Sequence, residues 1–176
     1  MISVGIKIGD GGIFDSHKYY GLVYVSSDNR FNAPLKPLES TTYPEEEGEH
    51  VYNLGVEDAF DYKVVWFVRG VNDISDANTT INRFNGLLFE KAKGSNAKKF
   101  KQVEFYNYYK KVKIVGIPSL ISEATEFWRD ANGVQHDVVL VEWTIRVTKP
   151  SLCNFNYTNT IAYDIQKVLM PRNLNK

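Results

Sequence analysis

The chain contains a single cysteine, Cys153, so no internal disulfide can form. It has no excess of either charge: Lys plus Arg and Asp plus Glu both total 21, for a formal net charge of zero. That balance speaks against a broadly basic nucleic-acid surface, though not against a local patch, and leaves little repulsion to hold copies of the chain apart. No apolar run approaches the roughly 20 residues needed to cross a bilayer, so no membrane partner is expected. The opening MISVGIKIGDGG has no basic segment ahead of a sustained apolar core, and no secretory leader is expected. Without secretion, the sequons Asn78-Thr79-Thr80 and Asn156-Tyr157-Thr158 have no consequence.

Chemistry is scarce as well. The three histidines, His17, His50 and His136, are isolated in sequence, and no pair has the spacing of a zinc hydrolase. Gly9-Asp10-Gly11-Gly12 lacks both the Gly-Lys-Ser/Thr of a Walker loop and the strand–turn–helix setting of a dinucleotide site, so it reads as a turn. Cys153 has no nearby cation to activate it, and Leu152 and Phe155 beside it suggest an inert, buried thiol. No catalytic residue, metal or cofactor is expected.

What is abundant is aromatic surface and acid. Aromatic residues make up 14% of the chain, with eleven Tyr and ten Phe, a composition that favours half-buried strands and protein interfaces. The segment TTYPEEEGEHVYNL, 41–54, carries Glu45, Glu46, Glu47 and Glu49 beside His50. Their spacing fits no calcium loop, which needs oxygen ligands at set alternating positions and a tight Gly turn. A solvated loop or an acidic contact with a basic partner remain. Lys98-Lys99-Phe100-Lys101, followed by FYNYYKKVK (105–113), interleaves bases with aromatics as single-strand binders do. The same residues also make an amphipathic hairpin with lysines on its wet face, and nucleic-acid binding is the disfavoured reading.

Periodicity supplies the architecture. One domain, 1–176, is expected from the length. Residues 1–20 are Gly-rich and read as a loose or docking arm before a strand at 22–26. The turn formers Asp28-Asn29, Pro34, Pro37, Pro44 and Gly48 predict a long irregular Pro-rich arm at about 27–55. YKVVWFVRG (62–70) is apolar on both faces and predicts a strand covered on both. Ala77, Ile81, Phe84 and Leu88 recur at helical spacing and predict an α-helix at about 77–93, capped by Asp76 and stopped at Gly94, that covers one of those faces.

Strands follow at 101–106 and 109–117, the second ended by Pro118, and then a hairpin, 123–128 with 138–147, around Asn132-Gly133. The tail from 149 fits helix or strand equally at 161–170. The sum is an α+β, mainly β fold: an antiparallel β-sandwich or partly open barrel with one packed helix.

In order of elements the chain resembles the N-terminal domain of the distal tail proteins of long-tailed bacteriophages and related tail-tube and baseplate components. The likeness runs over roughly 100 residues, from YPEEEGE (43–49) through YKVVWFVRG, the helix DANTTINRFNGLLFEKAKG (76–94), QVEFYNYYKKVKIVGIPS (102–119) and DVVLVEWTIRV (137–147). The resemblance implies a non-enzymatic structural subunit, a homo-oligomeric ring, usually of six, and other tail or baseplate proteins as partners. The virion tail, or the host cytoplasm before assembly, is then its setting. The family loop more often has a basic residue between its proline and glycine, where this chain has Glu45 to Glu47. Tyr43, Pro44, Glu45, Glu46, Glu47 and Glu49 are the expected inter-subunit loop, and Tyr106, Tyr108 and Tyr109 the expected interface aromatics. A carbohydrate- or small-ligand-binding β-module is the alternative. A hydrolase that assembles a histidine and a carboxylate in space is a further one.

Overall fold

The computed structural model describes residues 4–36, 39–41, 50–52, 57–69, 74–91, 93–94, 97–129 and 131–157. Strands β1 (Val4–Ile8), β2 (Ile13–Asp15) and β3 (Val23–Ser27) open the chain, with a five-residue helix α1 (Ser16–Tyr20) between the last two. An excursion carries β4 (Glu39–Thr41) and β5 (His50–Tyr52). Strand β6 (Phe60–Arg69) leads to helix α2 (Ile74–Leu87), the short strands β7 (Phe89–Lys91) and β8 (Lys98–Phe100), and then β9 (Val103–Asn107), β10 (Val112–Arg129) and β11 (Gln135–Val147).

Seven strands form one antiparallel sheet in the order β2-β1-β9-β10-β11-β6-β3, mainly β with one long helix and not closed into a barrel. Its shape comes from β10. Val112–Gly116 pairs with β9, and from Ile117 onward the same strand pairs with β11. The two halves therefore fold face to face. Phe105 of β9 meets Tyr24, Tyr62 and Trp66 with ring centroids 6.4, 6.0 and 5.8 Å apart.

Alternation decides what enters this core. Tyr62, Val64, Trp66 and Val68 of β6 are buried, as are Val139, Val141, Trp143, Ile145 and Val147 of β11. The α2 stripe of Ala77, Ile81, Phe84 and Leu88 is buried in the same cluster, with Phe84 edge-on to Trp143 at 5.6 Å.

Several expectations need correction. The N-terminal segment is not a loose arm: Val4 and Ile6 are fully buried because β1 inserts between β2 and β9. Helix α2 ends at Leu87, not near 93. The amide of Leu88 turns back to the Asn85 carbonyl (3.1 Å), and Phe89 then pairs with Phe100, rings 4.3 Å apart. Asp76 lies in the first turn of α2 rather than capping it, and Gly94, at φ +74°, belongs to the β7–β8 ribbon. Helix α2 and the β9 half cover the same face of β6, leaving Val65 and Phe67 half-exposed on the other. Pro118 does not end a strand. It sits where the β10–β11 register shifts, the kind of irregularity at which a sheet tolerates a missing N–H.

The excursion between β3 and β6 is also more regular than expected. Leu35 pairs with Glu57, the Asp58 amide donates to the Pro34 carbonyl (2.7 Å), and β4 pairs with β5 from Glu39↔Tyr52 to Thr41↔His50. This is an antiparallel arm. Residues 42–49, and the tail 161–170, lie outside the described residues.

Candidate assembly surfaces

Three surfaces follow from this fold: the root of the arm, the outer face of the β1–β9–β10 half, and the β7–β8 ribbon.

The arm root is fixed by short polar bonds. Asp28 accepts from the Lys63 amide through Oδ2 (2.9 Å) and donates its own amide to the Lys63 carbonyl (3.0 Å). The Tyr62 hydroxyl donates to the Asp28 carbonyl (2.9 Å), and burial pushes its phenol up to about 12, so it stays a donor. From the β9–β10 turn, Lys110 Nζ donates to the Ser27 carbonyl (2.6 Å) and Asn29 Oδ1 (2.7 Å). That turn is held by the buried Asn107, whose Oδ1 accepts from the Lys110 amide (2.8 Å), and by Lys111 at φ +57°. Beside this clamp, Tyr109 is 86% exposed and Phe31 is 88% exposed. Single exposed apolar residues are common, but these flank the root of an arm.

The predicted interface aromatics therefore divide. Tyr109 faces solvent, whereas Tyr106 (4% exposed) and Tyr108 (6%) are buried against Ile13 and Tyr157 on the outer face. The cover comes from the segment after β11. The Tyr157 amide donates to the Lys111 carbonyl, and Asn154 exchanges two backbone hydrogen bonds with Lys113, all at 2.8 Å. Cys153 lies on the same segment. Its Sγ accepts from the Val115 amide (3.4 Å), and burial pushes the thiol up, keeping it protonated. Tyr43, Pro44 and Glu45 to Glu49 lie outside the described residues.

Next to the tyrosines, Glu104 accepts from Lys7 Nζ (2.8 Å) and from the Tyr106 hydroxyl, with Lys113 Nζ at 3.2 Å. Burial acts to raise its carboxyl. The hydrogen bonds from Lys7 and Tyr106 and the charge of Lys113 outweigh that and hold it below the ordinary 4.5. A depressed folded-state pKa gives stability that is present above 4.5 and lost as pH falls through the lower folded value. Glu104→Gln is expected to be ~1–2 kcal/mol less stable at pH 7 and to lose less on acidification than the parent. Urea midpoints at pH 7 and pH 3 check this; an identical pH dependence for the two proteins would refute it.

The lysine-rich segments also separate. Lys91, Lys93, Lys98 and Lys99 are exposed on the β7–β8 ribbon, while FYNYYKKVK lies in β9 and β10 with two of its tyrosines buried. The ribbon keeps bases beside aromatics, with Lys98 Nζ 5.5 Å from the centre of the half-exposed Phe89 ring, whereas the tyrosines of the second segment are turned away from it. His17, His50 and His136 lie on three separate elements, α1, β5 and β11. Among the described residues no group of three His, Cys, Asp or Glu is arranged to hold a metal ion, and no helix is long and apolar enough to cross a membrane.

Sequence reasoning missed a hollow of about 240 Å³ between α1 and α2, lined by Tyr19, Tyr20, Gly21, Thr80, Arg83, Phe84 and Leu87. Phe14 stacks on Tyr19 beside it, centroids 4.0 Å apart. No sequence signal pairs these residues, since some sixty positions separate the two helices.

No family model matches the sequence, and no curated protein matches it. Among solved structures, the fold is similar to that of the SPP1 Dit protein, described as a paradigm of the hub adsorption apparatus in phages that infect Gram-positive bacteria. The TM-score is 0.48 and the identity 14%, over 84% of this chain and 50% of that one. The chain thus spans about half the length of that protein, and a likeness of this degree says nothing of function.

Proposed function

We propose that the chain is a non-enzymatic structural subunit of a phage-like tail or baseplate assembly, joined to copies of itself in a ring by strand-edge and arm contacts. The observation that carries this reading is the arm. Among the described residues β4 and β5 pair only with each other, on a root held by a dense set of hydrogen bonds. A ribbon of two three-residue strands is marginal alone in water and gains stability by lying on another surface. The open sheet adds two terminal strands, β2 and β3, that among the described residues are each paired on one side only. Such edges are natural joining points unless protected. The resemblance in element order to distal tail proteins supplies the kind of assembly, a ring usually of six.

The test is absolute mass by light scattering after size exclusion, across protein and salt concentrations. A closed multiple of 20.2 kDa, six above all, is the expected result. A monomer at every concentration would sink the ring. Tyr109→Ala probes the exposed aromatic beside the arm root. Folding stability should stay within about 0.5 kcal/mol of the parent, because the side chain is exposed. Association should weaken roughly tenfold if Tyr109 is an aromatic anchor of the interface. Unchanged association would remove Tyr109 from the interface.

The hollow between α1 and α2 favours the second reading, a small-ligand module, because Tyr19, Arg83 and Thr80 line one concavity. Its roughly 240 Å³ falls short of the 300–1,000 Å³ usual for ligand pockets, and the assembly reading is preferred. Calorimetric titration with a saccharide panel, compared with Tyr19→Ala, checks it.

A further inference from the structure

Formal charge is zero over the chain, but the sequence segregates it: acid in the segment that includes β4 and β5, base in the segment that includes β7 and β8. Between Leu38 and Val56, the arm sequence holds five glutamates, Glu39, Glu45, Glu46, Glu47 and Glu49, and no Lys or Arg. Between Phe89 and Lys101, the other ribbon holds five lysines, Lys91, Lys93, Lys98, Lys99 and Lys101, against Glu90 alone. Among the described residues only Lys99 of these five has a carboxylate partner, Glu90 Oε1 at 3.8 Å. At the foot of this ribbon a hollow of about 510 Å³ opens between Lys99, Lys101 and the Gly9–Gly11 turn, with Asp10 and Glu90 also on its wall.

The two ribbons are rooted at opposite ends of β9. The basic one joins its start, where the Lys101 amide donates to the Leu88 carbonyl and the Gly9 amide to the Gln102 carbonyl, both at 2.8 Å. The arm root joins its end through Lys110. The five residues of β9 between them span roughly 17 Å.

We propose that the β7–β8 ribbon of one copy is the docking surface for the acidic arm of the next. This rests on the ring reading and names its contact. A ring of more than two subunits needs a head-to-tail interface, in which two different patches meet. A two-fold contact through either ribbon would set like charges against each other, at a cost of several kcal/mol. Segregated charge therefore selects an arm-on-ribbon contact over ribbon-on-ribbon or arm-on-arm contacts; a parent that stops at two copies would be exchanging arms reciprocally and would overturn the ring.

The experiment is a charge swap read by light scattering at low salt. One variant carries Lys91→Glu, Lys98→Glu and Lys99→Glu; a second carries Glu45→Lys, Glu46→Lys and Glu47→Lys. Each alone is expected to associate ~100-fold more weakly than the parent, and an equimolar mixture to regain the parental mass, because each arm then meets an opposite ribbon. Parental mass in either single variant, or no recovery on mixing, overturns the contact while leaving the ring intact. A parent that is monomeric throughout overturns ring and contact together. If that monomer melts at lower temperature in either variant, the arm lies on its own chain and the proposal also fails. Loss of a labelled single-stranded DNA 20-mer by the lysine variant, with its mass unchanged, would reassign the ribbon to nucleic acid.

Discussion

Trp143→Ala is expected to lower the unfolding free energy by ~3–5 kcal/mol, the range for truncating a buried aromatic in a close-packed core. Trp143 is 1% exposed and lies in the main core, where β11, β6 and α2 meet. Its ring sits 6.3 Å from Trp66 on the neighbouring strand and 5.6 Å from Phe84, edge-on, on α2. It pairs across the ladder with Ile121 on one side and Val64 on the other, so neither strand can move inward to fill the space without breaking hydrogen bonds. The surroundings relax little, and the cavity term is added to the lost transfer term. A domain of this size has about 5–15 kcal/mol in all, so one substitution removes a large share. Urea unfolding followed by far-UV circular dichroism avoids the change in tryptophan fluorescence. The midpoint should fall with the slope m unchanged. Trp143→Phe keeps most of the apolar volume and should cost far less than Ala. Equal losses for the two would show that the fit of the indole ring, not the apolar volume it fills, sets the effect, since its buried N–H has no hydrogen-bond partner among the described residues.

Trp143 also shows what the sequence makes legible. Val139, Val141, Trp143, Ile145 and Val147 alternate with Glu142, Thr144 and Arg146, and a period of two is the direct imprint of a pleated strand on one buried face. The α2 stripe is legible for the same reason at period 3.6. Signals fail where the decision is made by distant residues. In Val4-Gly5-Ile6-Lys7-Ile8 the alternation is present, yet the following Gly9-Asp10-Gly11-Gly12 looks like slack chain. Pairing with β9, about a hundred residues on, is what buries it. At the end of α2, Lys91, Lys93 and Gly94 imitate a helix C-terminus; the Phe89–Phe100 pairing overrides that propensity. The tyrosines after Phe105 are the instructive case for the site. Period alone places Tyr106 on the outer face of its strand, but not whether that face meets solvent. The cover arrives from residues 153–157, and only Tyr109, lifted on the turn, is left outside. The glutamate run at 45–49 and the lysine run at 98–101 are legible in the sequence, whereas the rooting of β4–β5 and β7–β8 at opposite ends of β9 requires the topology.

Gly116→Ala and Gly86→Ala make the same chemical change and are expected to move stability in opposite directions. Gly116 is the last residue of β10 paired with β9, and Ile117 is the first paired with β11. At this corner the strand passes so close to β11 that a methyl group on Gly116 would lie 2.5 Å from the Arg146 carbonyl oxygen and 2.7 Å from Ile145 Cγ2. The first obstacle is backbone, and Arg146 is held in ladders to Ile117 and to Asp61, so it cannot step aside without carrying two strands with it. Overpacking of this kind costs ~3 kcal/mol. Because the clash lies at the fold between the two halves of the sheet, both the β9 and the β11 pairings of β10 feel the strain. Gly86, on the exposed side of α2, has nothing within 4 Å of the added methyl and lies in helical backbone. Alanine there reduces the freedom of the unfolded chain and should stabilise by about 0.5–1 kcal/mol. Thermal melts of the two variants beside the parent decide the matter. If Gly116→Ala melted at or above the parental temperature, β10 could not turn as closely past Arg146 as this corner requires, and the face-to-face closure of the sheet would need another hinge.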